Sequence, residues 1–331
     1  MRTEPYRAAE LVELSRLRKR FLDGSNAGGG YWKCDADLAL YDETFAERIG
    51  WKWDAVLAEL VARGWRPRAR HIFDFGCGSG VANRRVMEAW DGFDSLTLAD
   101  VSPLATHYAA TRARATQPQV RVGTAGPEPR LPPGTLLLVS HVLNELNPAA
   151  RARLLALARQ ADEVLWVEAG THADSRSLIA VREELRADFG LVAPCPHRAV
   201  CGMLAEANAH HWCHFFARVP SDVFQNARWA QIGRELGIDL RTLPYSFLAL
   251  SRSGEQSSGY SRVIGLPREA KGRMKVLNCA EEGVSELLLQ KRDLPAVFKS
   301  FKKDLFAPRY RWALDGERIA DVAEEPPLQN D

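Results

Sequence analysis

Strands alternating with helices between residues 71 and 170, a glycine turn directly after the first strand, and an acid closing the second predict an α/β chain. That alternation is the signature of a doubly wound parallel sheet. HIFDF is the first strand, GCGSG the turn and VANRRVMEAW a helix; SLTLAD is the second strand, SPLATHYAATRARA a helix and VRVGT the third strand. After a proline-rich loop come the strand TLLLVSHVL, the helix NPAARARLLALARQA and the strand VLWVEAG.

Two helical stretches precede this block, at 8–22 and about 42–63, with a glycine-rich loop between them. The first carries Arg16, Arg18, Lys19 and Arg20 on an otherwise ordinary amphipathic pattern. Beyond Gly170 a helix at about 175–189 leads into a Cys/His-rich stretch, and another follows near 223–236. LPYSFLALSRS, SRVIGLP, RMKVLNC and VSELLLQK then read as short strands. The expected organisation is an N-terminal helical region (1–65), the sheet core (66–190), a Cys/His-rich insertion (191–240), a small β-rich unit (241–312) and an acidic, disordered tail (313–331).

Composition narrows the class. The chain has 331 residues, a formal net charge of +2 and a pI near 8.2, so no global field marks a nucleic-acid binder and any basic surface is local. Residues 260–312 hold twelve Lys or Arg against six acids, whereas the last nineteen residues hold one Arg and six acids. Arg262, Arg273, Lys275, Lys291, Arg292, Lys302 and Lys303 in the β-rich unit are candidates to track phosphates. A solvated basic face beside an acidic tail is the plainer reading. No run approaches the ~20 apolar residues of a membrane span, and the opening twenty residues carry three acids and no secretory pattern. The chain reads as cytoplasmic, a compartment in which clustered thiols serve metals or redox chemistry rather than disulfides.

The turn Asp74-Phe75-Gly76-Cys77-Gly78-Ser79-Gly80 selects a cofactor class. Alternating glycines let the backbone approach a ligand while the next helix presents its N-terminus. A dinucleotide fingerprint needs glycine at 81, where the chain has Val81. The acid-x-G-x-G-x-G form instead resembles the first motif of class I S-adenosylmethionine-dependent methyltransferases. That resemblance implies that Asp74 lies near the amino-acid end of the cofactor, that Gly76, Gly78 and Gly80 form its cradle, and that Asp100 takes the ribose hydroxyls. No catalytic residue can be named: SHVLNEL after the fourth strand matches neither an amino-nitrogen nor a cytosine methyltransferase motif. Asn144 and Glu145 face the cleft or cap the next helix, and Glu168 is a further cleft candidate. Cys77 reads as packing.

The stretch APCPHRAVCGMLAEANAHHWCHFF (193–216) holds three of six cysteines and four of eight histidines. Cys195, Cys201 and Cys213, with the distant Cys279, permit a four-thiolate site for zinc or an iron-sulfur cluster. Residue spacing leaves both open, along with mixed sites using His197, His210, His211 or His214, and chance clustering of buried thiols.

APCPH, HWCHF, PYSFLALSR, RVIGLP, LNEL and VEAGT together resemble methyltransferase-like proteins associated with the small ribosomal subunit, a mitochondrial assembly factor and its bacterial relatives. The likeness runs from about residue 40 to 300. It implies a 4Fe-4S cluster on Cys195, Cys201, Cys213 and Cys279, zinc being the alternative, with the histidines packing around it. It also implies the small ribosomal subunit and its rRNA as partners, either through methyl transfer or as a non-catalytic assembly platform. Two departures stand out: Gly202 occupies a place where the family suggests proline, and a C-terminal tryptophan-glycine-acid element is absent.

Overall fold

A computed structural model describes residues 4–23, 32–254, 259–303 and 308–324. The elements in chain order begin with α1 (Ala8–Asp23), α2 (Asp35–Tyr41), a π-helical turn (Asp42–Ala46) and α3 (Glu47–Ala62). The alternating block comprises β1 (His71–Phe75), α4 (Val81–Ala89), β2 (Ser95–Ala99), α5 (Pro103–Thr116), β3 (Arg121–Thr124), β4 (Thr135–Ser140), α6 (Pro148–Ala158) and β5 (Glu163–Ala169). Next come α7 (His172–Leu185), β6 (Gly190–Ala193), β7 (Phe215–Phe216) and α8 (Ala227–Glu235). The chain ends with β8 (Pro244–Ser251), β9 (Ser261–Ala270), β10 (Arg273–Ala280), β11 (Gly283–Gln290), α9 (Pro295–Lys302), β12 (Arg309–Asp315) and β13 (Arg318–Glu324).

The chain divides into two compact units. The first takes Met1–Glu59, Arg66–Glu168 and Ala217–Pro244; the second takes Leu60–Trp65, Ala169–Phe216 and Tyr245–Asp331. Residues 217–244, whose first part was expected within the Cys/His-rich insertion, thus return to the first unit.

In the first unit the strands run in the order β3-β2-β1-β4-β5, every pair parallel. This is the expected class I methyltransferase-type sheet. Its central strands are continuous apolar runs, TLLLVS and EVLWVEA, because parallel strands covered on both faces have no polar side to alternate with. Leu136 through Val139 and Val164 through Val167 have no exposed surface. Helix starts are set by local chemistry: Ser102 caps α5 ahead of Pro103, and Asn147 caps α6 ahead of Pro148 by accepting from the Ala150 N–H at 2.9 Å. That cap corrects the expectation that Asn144 or Glu145 serves α6. Both lie exposed in a short 3-10 turn before it.

The N-terminal helices join this unit through a cluster of Leu17, Trp32, Leu38, Tyr41, Val81 and Ala105, which ties α1 and α2 to the starts of α4 and α5. Arg16 pairs with Glu13 and Asp37, and Arg18 donates to the Leu236 carbonyl. Arg16 and Arg18 are therefore engaged in internal contacts, while Lys19 is exposed.

In the second unit β8 pairs with β7 and, antiparallel, with β6. The remaining strands close a barrel in the order β10-β11-β13-β12-β9, with β11 and β13 parallel and β9 and β12 antiparallel across the closure. Met274, Val276, Leu287, Leu289, Phe301, Tyr310 and Ile319 fill it, while their strand neighbours point outward at period two. Residues 313–324, expected in a disordered tail, are barrel strands. The hairpin turns at Gly316-Glu317 between the paired Asp315 and Arg318, and Gly316 takes a φ of 62°. Residues 325–331 of the expected tail lie outside the described residues.

Candidate functional site

The glycine turn of the first unit gathers the residues singled out in the sequence. Gly76, Gly78 and Gly80 all have positive φ, at 66°, 51° and 80°. A β-carbon at Gly76 would come within 2.5 Å of Val142 on the loop after β4, whereas one at Gly78 would meet open space. Gly76 is thus required by packing and Gly78 by backbone conformation. The Gly78 N–H donates to Asp100 Oδ2 at 2.9 Å and the Ser102 N–H to Asp100 Oδ1 at 2.8 Å, so the carboxylate spans the turn and the α5 cap. Burial raises the Asp100 pKa while these main-chain donors oppose the rise.

Asp74 lies fully buried beneath the turn. Asn83 Nδ2 donates to its Oδ2 at 2.7 Å, and Oδ1 has no partner among the described residues. Burial, reinforced by the nearby Asp100, pushes its pKa up to about 7. A buried carboxylate oxygen without a partner is costly unless a donor reaches it. Cys77 is buried, its thiol pKa pushed up by burial, as suits packing.

Three further residues frame this end of the sheet and were not singled out in the sequence. Tyr41 is buried and its phenol raised by burial, with the charges of Glu145, Asp42 and Asp100 adding to the rise. It packs in one cluster with Val81, the residue after the turn, and Ala105. It immediately precedes the π-helical turn at Asp42–Ala46, a distortion common at functional sites. His141, at the end of β4, is the one non-glycine residue described with positive φ, at 54°. Its ring nitrogen Nε2 stands 3.4 Å from Lys52 Nζ, and burial followed by that cation holds its pKa well below the usual imidazole range.

Glu168 serves the scaffold. Its Oε1 accepts from the Val142 and Leu143 N–H groups, each at 3.2 Å, and from Trp166 Nε1 at 2.8 Å. The carboxylate proposed for the cleft thus holds the β4 loop that Gly76 packs against.

In the second unit Cys195, Cys201, Cys213 and Cys279 line one cavity of about 40 Å³, together with Arg182 and Arg262. All are free thiols. Cys279 comes from β10; the other three come from the segment between β6 and β7. Burial pushes the Cys201 pKa up to about 11 and raises those of Cys213 and Cys279, with the neighbouring thiols adding to each rise. His197 Nε2 lies 3.6 Å from Cys279 Sγ, and Arg182 donates to the His197 carbonyl at 2.8 Å. Among the described residues no group of three or more His, Cys, Asp or Glu is arranged to hold a metal ion.

Close backbone approach seats the cysteine segment on the barrel. A β-carbon at Gly202 would meet the Val284 nitrogen at 2.6 Å, which explains glycine where proline was expected. At Gly265, within the RVIGLP run, φ is 65° and a β-carbon would lie 3.0 Å from the His214 ring, while the Gly265 N–H donates to the His214 carbonyl at 2.9 Å. His214 stacks on Trp212 with centroids 4.7 Å apart, and so packs against the barrel. Arg262 is buried with its guanidinium 4.2 Å from the Phe215 ring centre. It does not belong to a phosphate-tracking surface, contrary to the expectation.

A family model described as mitochondrial small ribosomal subunit Rsm22 matches residues 49–311. No curated protein matches the chain. Among solved structures, the magnesium protoporphyrin IX methyltransferase of Synechocystis PCC 6803 is 14% identical, over 73% of this chain and 97% of that one, with a TM-score of 0.39. A Thermoplasma acidophilum protein is 13% identical over 62% and 90% of the two chains, TM-score 0.37. An O-methyltransferase family 2 protein of Planctomyces limnophilus is 19% identical over 44% and 57%, TM-score 0.31. The fold rests on the strand order and register above, not on these likenesses.

Proposed function

Since the chain belongs to the Rsm22 family of the mitochondrial small ribosomal subunit, we propose that it binds S-adenosylmethionine at the β1 turn and acts as a methyltransferase on small-subunit rRNA. The observation that carries the cofactor assignment is the unpartnered, buried Asp74 oxygen beneath three positive-φ glycines, with Asp100 at the end of β2. An ammonium group would satisfy Asp74, and Asp100 keeps lone pairs for a pair of hydroxyls.

When bound, the cofactor supplies a methyl group on a sulfonium, and in-line attack by an rRNA nucleophile expels a neutral thioether. The chain's own part is position. Asp74 and Asp100 hold the two ends of the cofactor, Gly78 leaves open space for it, Gly76 lets the turn close against Val142, and Glu168 fixes the β4 loop alongside. A second reading, an assembly factor without turnover, is favoured by the SHVLNEL loop, which presents exposed Asn144 and Glu145 but matches neither an amino-nitrogen nor a cytosine methyltransferase motif.

The proposal includes a 4Fe-4S cluster on Cys195, Cys201, Cys213 and Cys279. What supports it is the donor set: four thiols from two distant segments around one cavity. Four thiolates around a doubly charged metal centre leave net negative charge, which the cavity-lining Arg182 and Arg262 oppose. A cubane takes each thiolate at a different iron, so its donors need not converge on one point as zinc requires. A reducing, cytoplasmic setting is the remaining part, supported by six free cysteines. Among the described residues no helix is long and apolar enough to cross a membrane.

Incubation with methyl-labelled S-adenosylmethionine and undermodified small-subunit RNA tests turnover. Label on the RNA, lost in Asp100→Ala, is the expected result. Cofactor binding without transfer favours the assembly-factor reading, and no binding of cofactor sinks the methyltransferase reading. Iron analysis of anaerobically purified protein tests the cluster, with stoichiometric zinc and no iron as the opposing result.

A further inference from the structure

The barrel order β10-β11-β13-β12-β9, with α9 between its third and fourth strands, is that of the OB type, a Greek-key barrel. In such barrels the outer face of the second and third strands, with the first hairpin, binds oligonucleotides or oligosaccharides. Here those strands are β10 and β11, and the hairpin joins β9 to β10.

That face is divided in two. Toward the 280–283 turn its outward residues, Ile264, Leu277, Cys279 and Val284, lie under Met203 and Ile179. The cysteine segment therefore covers half of the site such barrels use. Toward the 270–273 turn the face is open. Arg268, Lys275 and Leu288 are register neighbours across three strands, and Arg273 stands opposite Gln290. Arg268, Lys271, Arg273 and Lys275 are exposed.

From this geometry we infer that the open half of the β9-β10-β11 face is a binding surface for single-stranded RNA. Charge is the first argument. Arg268 and Lys275 share one carboxylate, Glu286, and Lys302 takes Glu269 at 2.8 Å. Lys271 and Arg273 have no acidic partner among the described residues, and the Lys291 N–H donates to the Gly272 carbonyl, placing a further cation at the hairpin. Since Glu269 shares the face of the core residue Met274, the outer face itself carries five cations, Arg268, Lys271, Arg273, Lys275 and Lys291, against the one carboxylate of Glu286, which suits a phosphate backbone rather than a sugar polymer.

Rings supply the second argument. His210 and His211 lie with centroids 3.9 Å apart, and His210 is exposed. The pair sits between Asn208, whose Nδ2 donates to the Val284 carbonyl at 3.4 Å, and His214, whose carbonyl accepts from the Gly265 N–H at 2.9 Å. The pair is thus carried across the β9-β10-β11 face by the segment that borders its open half, where unstacked bases can rest on it. A duplex keeps its bases stacked inside and cannot use such a ledge. The inference deepens the ribosomal reading by naming the surface and the strand state, and depends on it only for the source of the RNA.

Fluorescence anisotropy of the full chain with a labelled RNA of about 12 nucleotides, single-stranded or as a duplex, tests it. The single strand should bind more tightly. Lys271→Gln/Arg273→Gln/Lys275→Gln should weaken binding by about tenfold or more and flatten the log K against log salt slope by roughly 2. His210→Ala/His211→Ala should weaken binding about fivefold or more with the slope unchanged, since stacking is lost rather than ion release. Arg66→Gln, on the first unit, should leave both values alone. A triple variant with wild-type affinity and slope, or a duplex bound as tightly as the single strand, overturns the inference. Co-sedimentation with small subunits is scored separately: its failure beside intact oligonucleotide binding overturns the ribosomal reading alone.

Discussion

Gly202 lies flush on Val284: a β-carbon at 202 would stand 2.6 Å from the Val284 main-chain nitrogen. Because the obstacle is backbone, no side chain can rotate away. Gly202→Ala should destabilise the second unit by about 1–3 kcal/mol, the usual range for overpacking. Denaturant unfolding followed by barrel tryptophan fluorescence reads this out. An unchanged midpoint would mean that the cysteine segment does not sit on the barrel at Gly202.

Glu168 offers a contrast between losing a charge and losing an acceptor. Glu168→Ala leaves the Val142, Leu143 and Trp166 N–H groups without their shared acceptor and should cost about 2–4 kcal/mol. Glu168→Gln keeps an acceptor oxygen and should cost distinctly less. Equal losses in the two variants, measured by thermal unfolding, would place the effect in charge rather than in the β4 loop.

Asp74 couples stability to pH. Its folded pKa, about 7, lies above the ordinary carboxyl value of 3.8, so between those values the folded chain binds more protons than the unfolded one. The protonated carboxyl's contribution is complete below about pH 4 and is lost as pH rises through about 7. Asp74→Asn should remove this falling limb and leave the cofactor-free variant more stable than the wild type at pH 8. Unfolding midpoints across that range check it; parallel profiles would sink the assignment.

The cysteine cavity makes a metal-dependent prediction. Metal bound only by the folded chain adds its binding energy to stability. Chelator treatment of anaerobically prepared protein should therefore lower the unfolding midpoint. Cys279→Ser should lose both the iron and the sensitivity to chelator. A variant that retains the wild-type metal content would remove Cys279 from the ligand set.

The sequence made the first unit readable because its chemistry is local. Alternating apolar runs, the glycine turn and an acid at the end of β2 each depend on neighbours a few residues away. The α6 cap was misassigned although the signal was present: Asn147 immediately precedes Pro148, the usual cap-and-first-turn pair. Strands β12 and β13 hid behind their acids, yet Gly316-Glu317 between alternating residues, with glycine at the first loop position, is a hairpin signal. No local signal could reveal that Arg262 is buried over Phe215, since the two are joined only by tertiary packing. The same holds for the half-covered face of the barrel, which needs both the strand order and the path of a segment sixty residues earlier.

The origin of the cavity thiols has a consequence for synthesis. Three of them, ending with Cys213, precede Cys279, which lies on the second barrel strand. Between them the chain leaves for the first unit over Ala217–Pro244 before returning. At about 5–20 residues per second a ribosome takes roughly 3–13 s to cover that interval. During it the first three thiols have left the tunnel ahead of their fourth, and the barrel face that buries them does not yet exist. If the cavity takes the proposed cluster, its loading is therefore a late event in the life of the nascent chain.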